Sequence, residues 1–290
     1  MTIDIKMADE TGFCFGVKRA LKLLEHALEA HGQIETLGPL VHNQQVVENL
    51  EHLGARAVQE VSEIIGSVAV VPSHGVPPAV FERLVDRGVT VIDTTCPNVR
   101  KAQNAAKQLS AAGFCVVVFG DPTHPEVRGI IGWAGNNGMA TLDVQTLVQH
   151  PALPPRLGLL SQTTRNSSQF VDFALSAVDL LLPRLAELRI INTLCDVTKK
   201  RQAAALALAH SVDTMIVVGG RNSANTRCLA NVCSQAGAKT HHVETASEIE
   251  DSWFCSADTI GVTTGTSISD NVIKEVVLKL EEIKIQLNAN

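Results

Sequence analysis

Three stretches of this 290-residue chain repeat one another. Cys14, Cys96 and Cys195 are each followed 24 residues later by a glycine (Gly38, Gly120, Gly219) and 28 residues later by His42, His124 or Ser223. In the second and third stretches, Gln103 and Gln202 also stand seven residues after the cysteine. Offsets that recur three times mark an internal repeat, which constrains the fold more than any isolated motif. Each cysteine lies between an apolar strand pattern and a helical one. After Cys14, Val17, Ala20, Leu21, Leu24 and Leu28 form a helical stripe that Gly32 stops. Cys96-Pro97 opens a helix carrying Val99, Ala102, Ala106 and Leu109, with proline suited to its first turn.

The short apolar runs SVAVVP, FCVVVF, LGLL, MIVV and TIGV alternate with such helices and end in polar loops. That order predicts an α/β chain of three similar lobes, each a mostly parallel sheet with flanking helices. The lobes span residues 14–95, 96–194 and 195–290. The strand before each cysteine can pack with the lobe before it or the lobe after it. Ligands in α/β units gather at the carboxyl ends of strands. Each lobe brings three loops there: the cysteine turn, the glycine loop and a final Ser/Thr/His loop. A pseudo-threefold arrangement would turn all of them toward one central cavity.

Composition narrows the function. With 45% apolar and 19% charged residues the chain is an ordinary folded protein. A net charge of −6 excludes general affinity for nucleic acid or membrane, so any anionic ligand must be met by local donors. The N-terminus lacks a signal peptide's apolar core, and no apolar run is long enough to span a bilayer. An odd count of seven cysteines points to reduced thiols and a cytoplasmic protein.

A thiol at a helix N-terminus meets the positive end of the helix dipole, which favours the thiolate needed for metal ligation. Three convergent thiolates suit zinc or an iron–sulfur cluster; four ligands are usual for either, and a missing fourth leaves one iron open. Cys115 (mid-strand), Cys228 and Cys233 (one helix) and Cys255 have no counterparts in the repeat and read as packing residues. His42, His74, His124, Thr163, Ser223, Asn225 and Ser267 all stand where strands end, with glycines that let backbone N–H groups approach an anion. They suit phosphate oxygens. Glu126 is the only carboxylate at its offset, where the third repeat has Asn225. It reads either as a proton donor with a raised pKa or as a partner of a helix dipole.

The ordered set GFCFGV, LGPLVHN, SHGV, DTTCP, HPEV, SQTT, CDVTKKRQ, NSANT and TTGTS resembles the 4-hydroxy-3-methylbut-2-enyl diphosphate reductases, LytB-type enzymes of the methylerythritol phosphate route to isoprenoids, over essentially the whole chain. The resemblance implies a trilobal fold around a 4Fe-4S cluster held by Cys14, Cys96 and Cys195, with the N-terminal strand (residues 1–13) joining the third lobe. It implies reductive removal of the substrate's allylic hydroxyl as water, giving isopentenyl and dimethylallyl diphosphates. The diphosphate would be bound by His42, His74, His124, Ser223, Asn225 and Ser267. Glu126 would donate a proton, relayed through Thr163, with His124 beside it. A ferredoxin or flavodoxin would supply electrons. Two positions depart from the pattern: Ala224 replaces a usual serine, implying weaker substrate affinity, and Ser269 replaces a usual proline, implying a less rigid turn. A paralogue acting on another phosphorylated alcohol and a non-catalytic cluster sensor are the alternatives.

Overall fold

Runs of β-branched and aromatic residues with both faces apolar, such as CVVVF, cannot be satisfied at a surface and form central parallel strands. The protein, described from a computed structural model over residues 3–135, 137–255 and 258–289, contains twelve strands among the described residues, and the wholly apolar ones are central. The first run is β1 (Asp4–Met7), α1 (Phe15–His31), β2 (Ile34–Leu37), α2 (Gln44–His52), β3 (Ala55–Val58), β4 (Val68–Val71), α3 (Pro78–Asp86) and β5 (Thr90–Asp93). The second is α4 (Pro97–Ala111), β6 (Cys115–Phe119), α5 (Pro125–Trp133), β7 (Gly138–Thr141), α6 (Gln145–Val148), β8 (Arg156–Ser161), α7 (Ser167–Leu181) and β9 (Glu187–Ile190). The third is α8 (Asp196–Ala209), β10 (Thr214–Val218), α9 (Ala224–Gln235), β11 (Lys239–Val243), β12 (Thr259–Thr264) and α10 (Asp270–Ala289).

Three four-stranded sheets result, ordered β3-β2-β4-β5, β7-β6-β8-β9 and β11-β10-β12-β1, and every pairing is parallel. The three-lobed α/β expectation is met. The strand before each cysteine pairs backwards: β5 on β4, β9 on β8, and β1 on β12 across the chain termini. Helices α3 and α7, which the cysteine-centred pattern does not pick out, are the crossovers that make these last pairings parallel. Cys115 begins β6 instead of lying in its middle.

Two compact units form. One comprises Met1–Val17, His42–Asn49 and Asp196–Asn290, with the sheet of β10, β11, β12 and β1. Its core joins Ile216, Val218, Ile260 and Val262 to Val276, Leu280 and Ile283 of α10. The other comprises Lys18–Val41 and Leu50–Cys195 and holds the remaining two sheets. There Val116 and Val118 face α4 and α5, while Val117 and Phe119 face Phe170 and Phe173 of α7. Burying each such side chain stabilises the fold by about 1.5–3 kcal/mol.

Candidate active site

The backward pairing delivers each cysteine to the end of the neighbouring strand, where its backbone is tied down in the same way three times. The N–H of Cys96 donates to the Ser73 carbonyl at 2.9 Å, that of Cys195 to Thr163 at 2.9 Å, and that of Cys14 to Thr266 at 3.0 Å. Two residues upstream, the Thr94 hydroxyl donates to the Val71 carbonyl at 2.6 Å and that of Thr193 to the Ser161 carbonyl. Gly12 reverses the polarity, its N–H donating to Thr264 Oγ1 at 2.9 Å. All three cysteines are partly exposed, and each immediately precedes a helix. None of the seven cysteines is in a disulfide. Within the second unit, the side-chain N–H of Asn98 donates to the Cys195 sulfur at 3.1 Å, which joins the turn after Cys96 to Cys195. Cys14 belongs to the other unit, and among the described residues no three His, Cys, Asp or Glu side chains form a metal-ligating group as they stand.

The remaining cysteines separate by burial. Cys115 and Cys233 are core residues, and burial pushes both thiols up, Cys233 to about 12. Cys228, half-buried on α9, accepts from the Gln202 amide at 3.2 Å. Cys255 corrects its reading as a packing residue: it is exposed, and its N–H donates to Asp258 Oδ2 at 2.7 Å.

The second unit carries the acid. His124 is the N-cap of α5, its Nδ1 accepting the Glu126 N–H at 3.1 Å. A neutral imidazole accepting at Nδ1 holds its proton on Nε2, which is then the donor. Glu126 is only 3% exposed, and its Oε1 accepts the Thr163 N–H at 2.6 Å. Burial outweighs the Thr163 backbone and side-chain hydrogen bonds and pushes the carboxyl up to about 7. This is a buried carboxyl in the first turn of α5, not a solvated carboxylate. His74 lies at the head of the first lobe's final loop, its Nδ1–H donating to the Gly75 carbonyl at 3.0 Å. Gly75 has φ +71°, and a Cβ there would sit 2.4 Å from Gln103 Nε2, so only glycine serves. Helix α5 packs on this loop. Gly132 leaves room for Pro77, and Trp133 Nε1–H donates to the Val76 carbonyl at 3.1 Å.

The first unit carries the other polar loops. Ser223 is the N-cap of α9, its Oγ accepting the Thr226 N–H at 3.3 Å. Asn225, in the first turn of α9, is 3% exposed, and among the described residues neither its Oδ1 nor its Nδ2 has a hydrogen-bond partner. Leaving such groups unpaired costs about 1–3 kcal/mol, which sets Asn225 apart from the other buried amides of the fold's loops. Gly220 packs against the backbone of His42, where a Cβ would meet the carbonyl oxygen at 2.7 Å. Burial lowers the His42 pKa and the nearby Arg227 charge lowers it further, so His42 is a neutral imidazole at neutral pH. Ser267 is buried in the loop after β12.

Known proteins account for this arrangement. Residues 5–281 match the family of the LytB protein. The chain belongs to this family. A reductase from Dehalococcoides mccartyi strain CBDB1, named 4-hydroxy-3-methylbut-2-enyl diphosphate reductase, is 47% identical over 96% of this chain and 98% of its own length. The Geobacter metallireducens enzyme of the same name is 41% identical over 97% of this chain and 98% of its own. A solved structure of (E)-4-hydroxy-3-methyl-but-2-enyl diphosphate reductase, described as the terminal enzyme of the non-mevalonate pathway, superposes with a TM-score of 0.70 at 36% identity, over 97% of this chain and 99% of that one. The Plasmodium falciparum reductase structure shares the fold, with a TM-score of 0.88 at 22% identity over 96% of this chain and 88% of that one.

The family is one of iron–sulfur oxidoreductases, and the chain is an enzyme of that class. The donor chemistry here fits such a group: three non-disulfide, partly exposed cysteines, each preceding a helix and each anchored by the same backbone bond. No described helix is long and apolar enough to cross a membrane. Sequence reasoning passed over three helical residues that reach these loops: Asn98 on the Cys195 sulfur, Arg227 beside His42, and Arg201. Helical spacing signals the last of these, because Thr198, Arg201, Gln202, Ala205 and Ala209 form the buried stripe of α8.

Proposed function

We propose that this chain reduces (E)-4-hydroxy-3-methylbut-2-enyl diphosphate to isopentenyl and dimethylallyl diphosphates. The substrate's hydroxyl leaves as water, at the cost of two electrons and two protons. The observation that carries this reading is Glu126: a buried carboxyl raised to about 7, hydrogen-bonded to the loop that also anchors Cys195.

Cys14, Cys96 and Cys195 would hold a 4Fe-4S cluster, one ligand from each of three lobes (14–95, 96–194, and 195–290 with strand 1–13). The family and the threefold backbone anchor support this ligand set. When bound, the cluster would relay electrons and offer a Lewis acid for the substrate oxygen. The chain's own residues do the rest. Asn225 offers two amide N–H donors to the diphosphate, Ser223 and Ser267 offer hydroxyls, and His42 and His124 offer imidazole N–H groups. His74 has its Nδ1–H committed to the Gly75 carbonyl, which leaves Nε2 to face the anion. Glu126, whose raised pKa keeps a large share of it protonated near neutral pH, passes its proton by way of the Thr163 hydroxyl toward the departing oxygen. A ferredoxin- or flavodoxin-type donor supplies the electrons.

Anaerobic purification with iron and sulfide determination, followed by a reduced-dye assay with the hydroxylated diphosphate, tests the proposal. Four irons per chain and turnover are expected. A cluster without turnover would favour the sensor or paralogue reading, and zinc or no metal would end the cluster assignment.

A further inference from the structure

Arg201 is the largest side chain among those almost wholly removed from solvent, with 2% exposure. Its Nη1 donates to the carbonyls of Thr264 at 2.9 Å and Gly265 at 2.6 Å and to Thr264 Oγ1 at 3.2 Å. Its Nη2 donates to the Gly12 carbonyl at 2.9 Å. Thr264 Oγ1 also accepts the Gly12 N–H, and two residues on, the Cys14 N–H donates to the Thr266 carbonyl. One planar fork therefore clamps the Gly12–Cys14 turn to the Thr264–Ser267 loop, from a helix that starts directly after Cys195. A lysine, with a single point of charge, cannot span both segments.

The charge itself is unmatched. None of the ion pairs among the described residues involves Arg201, and its Nε has no hydrogen-bond partner there. Burial pushes its pKa down, while negative charge on Cys14 and Glu10 pushes it up. A guanidinium remains cationic in proteins, and a buried cation without an anion is unfavourable. Cys14 and Glu10 are the groups whose charge acts on it.

We propose that Arg201 is a positioning residue for the cluster: it locks the Cys14 turn to the loop bearing Ser267 and places a fixed positive charge on the side of Cys14. This rests on Cys14 being a cluster ligand, and two measurements separate the two ideas. The first is hydrogen exchange on the full-length, iron-free protein. Arg201→Met should speed exchange at least tenfold in residues 8–17 and 262–269 together while leaving β6 unchanged, and Arg201→Lys should fall between it and the parent. The second is the reduction potential after anaerobic cluster assembly. A positive charge favours the reduced centre, so Arg201→Met should be shifted to more negative potential and Arg201→Lys should stay near the parent. If Arg201→Met does not fold, Thr264→Val, which removes the hydroxyl shared by Arg201 and Gly12, should show the same paired acceleration. Unchanged exchange in the two segments, or acceleration throughout the chain, overturns the clamp; an unmoved potential overturns the charge role. Failure of the parent protein to assemble a cluster would remove the cluster reading and leave the exchange result to decide the clamp.

Discussion

Glu126 and Asn225 each lie 30 residues beyond their cysteines, and each is 3% exposed, yet their surroundings are opposite. Glu126 sits in a finished network, its carboxyl held by the Thr163 N–H and its own N–H capped on His124. Asn225 is enclosed with its whole amide unpaired among the described residues. The repeat assigns both residues the same place, the first turn of a helix beyond a strand end, and the neighbouring loop decides what each place does. A carboxyl that keeps its proton is set for transfer without a ligand present. An amide left without partners is set for a ligand that completes it. On the proposed reading the acid is prepared in advance, and the binding amide stays unpaired until a ligand fills it.

That contrast can be broken most sharply by Glu126→Gln. Turnover should fall on the order of 10²–10⁴-fold with the Michaelis constant nearly unchanged, as read in steady-state anaerobic assays. Near-normal turnover would exclude Glu126 as donor. Asn225→Ala should do the converse and raise the Michaelis constant roughly 10- to 100-fold, the effect of about 1–3 kcal/mol of lost pairing. The melting temperature of the ligand-free variant should hold or rise, because an unsatisfied amide has been removed. A clear drop would mean that the amide is already satisfied, and the contrast would be lost.

The pH dependence sharpens the same pair. Glu126 titrates at about 7 in the fold against an ordinary 4.5, so the native state prefers its protonated form. Its contribution to stability is therefore fully present below pH 4.5 and is lost as the pH rises through 7, on the order of 3 kcal/mol in all. Denaturant melts from pH 4 to 8 should show this loss in the parent and in Asn225→Ala, and not in Glu126→Gln. Turnover of the parent should decline above about pH 7. The smallest effect belongs to Ala224, the neighbour of Asn225. Ala224→Ser should lower the Michaelis constant about two- to fivefold through one added hydroxyl donor, a gain of about 0.5–1 kcal/mol. No change would mean that the alanine's backbone N–H already suffices. Ser269, the other departure from the family pattern, has its own use: its Oγ accepts the Val272 N–H at 3.4 Å and caps α10.

Much of this was legible in the chain. The offsets from Cys14, Cys96 and Cys195 placed His42, His124, Ser223, Glu126 and Asn225 at strand ends, because a βαβ unit has a fixed chemical direction and a repeat of it preserves that direction. Strand runs such as CVVVF and MIVV could not have been surface elements. The residues alone left the partner of each pre-cysteine strand open. Pairing of β1 with β12 joins the two ends of the chain, and local periodicity contains no term for so distant a contact.

Tertiary structure decided the rest. Three-dimensional burial raised Glu126, isolated the amide of Asn225, exposed Cys255 and enclosed Arg201. In the sequence, Arg201 is one of three consecutive basic residues, KKR, and only packing distinguishes the one that turns inward. A side chain's charge state and hydrogen-bond debts depend on what surrounds it on every side, and a sequence specifies only what precedes and follows it. The order of residues therefore determined which loops meet at the strand ends, and the packed fold determined which of their side chains hold a proton, a charge or an unfilled bond.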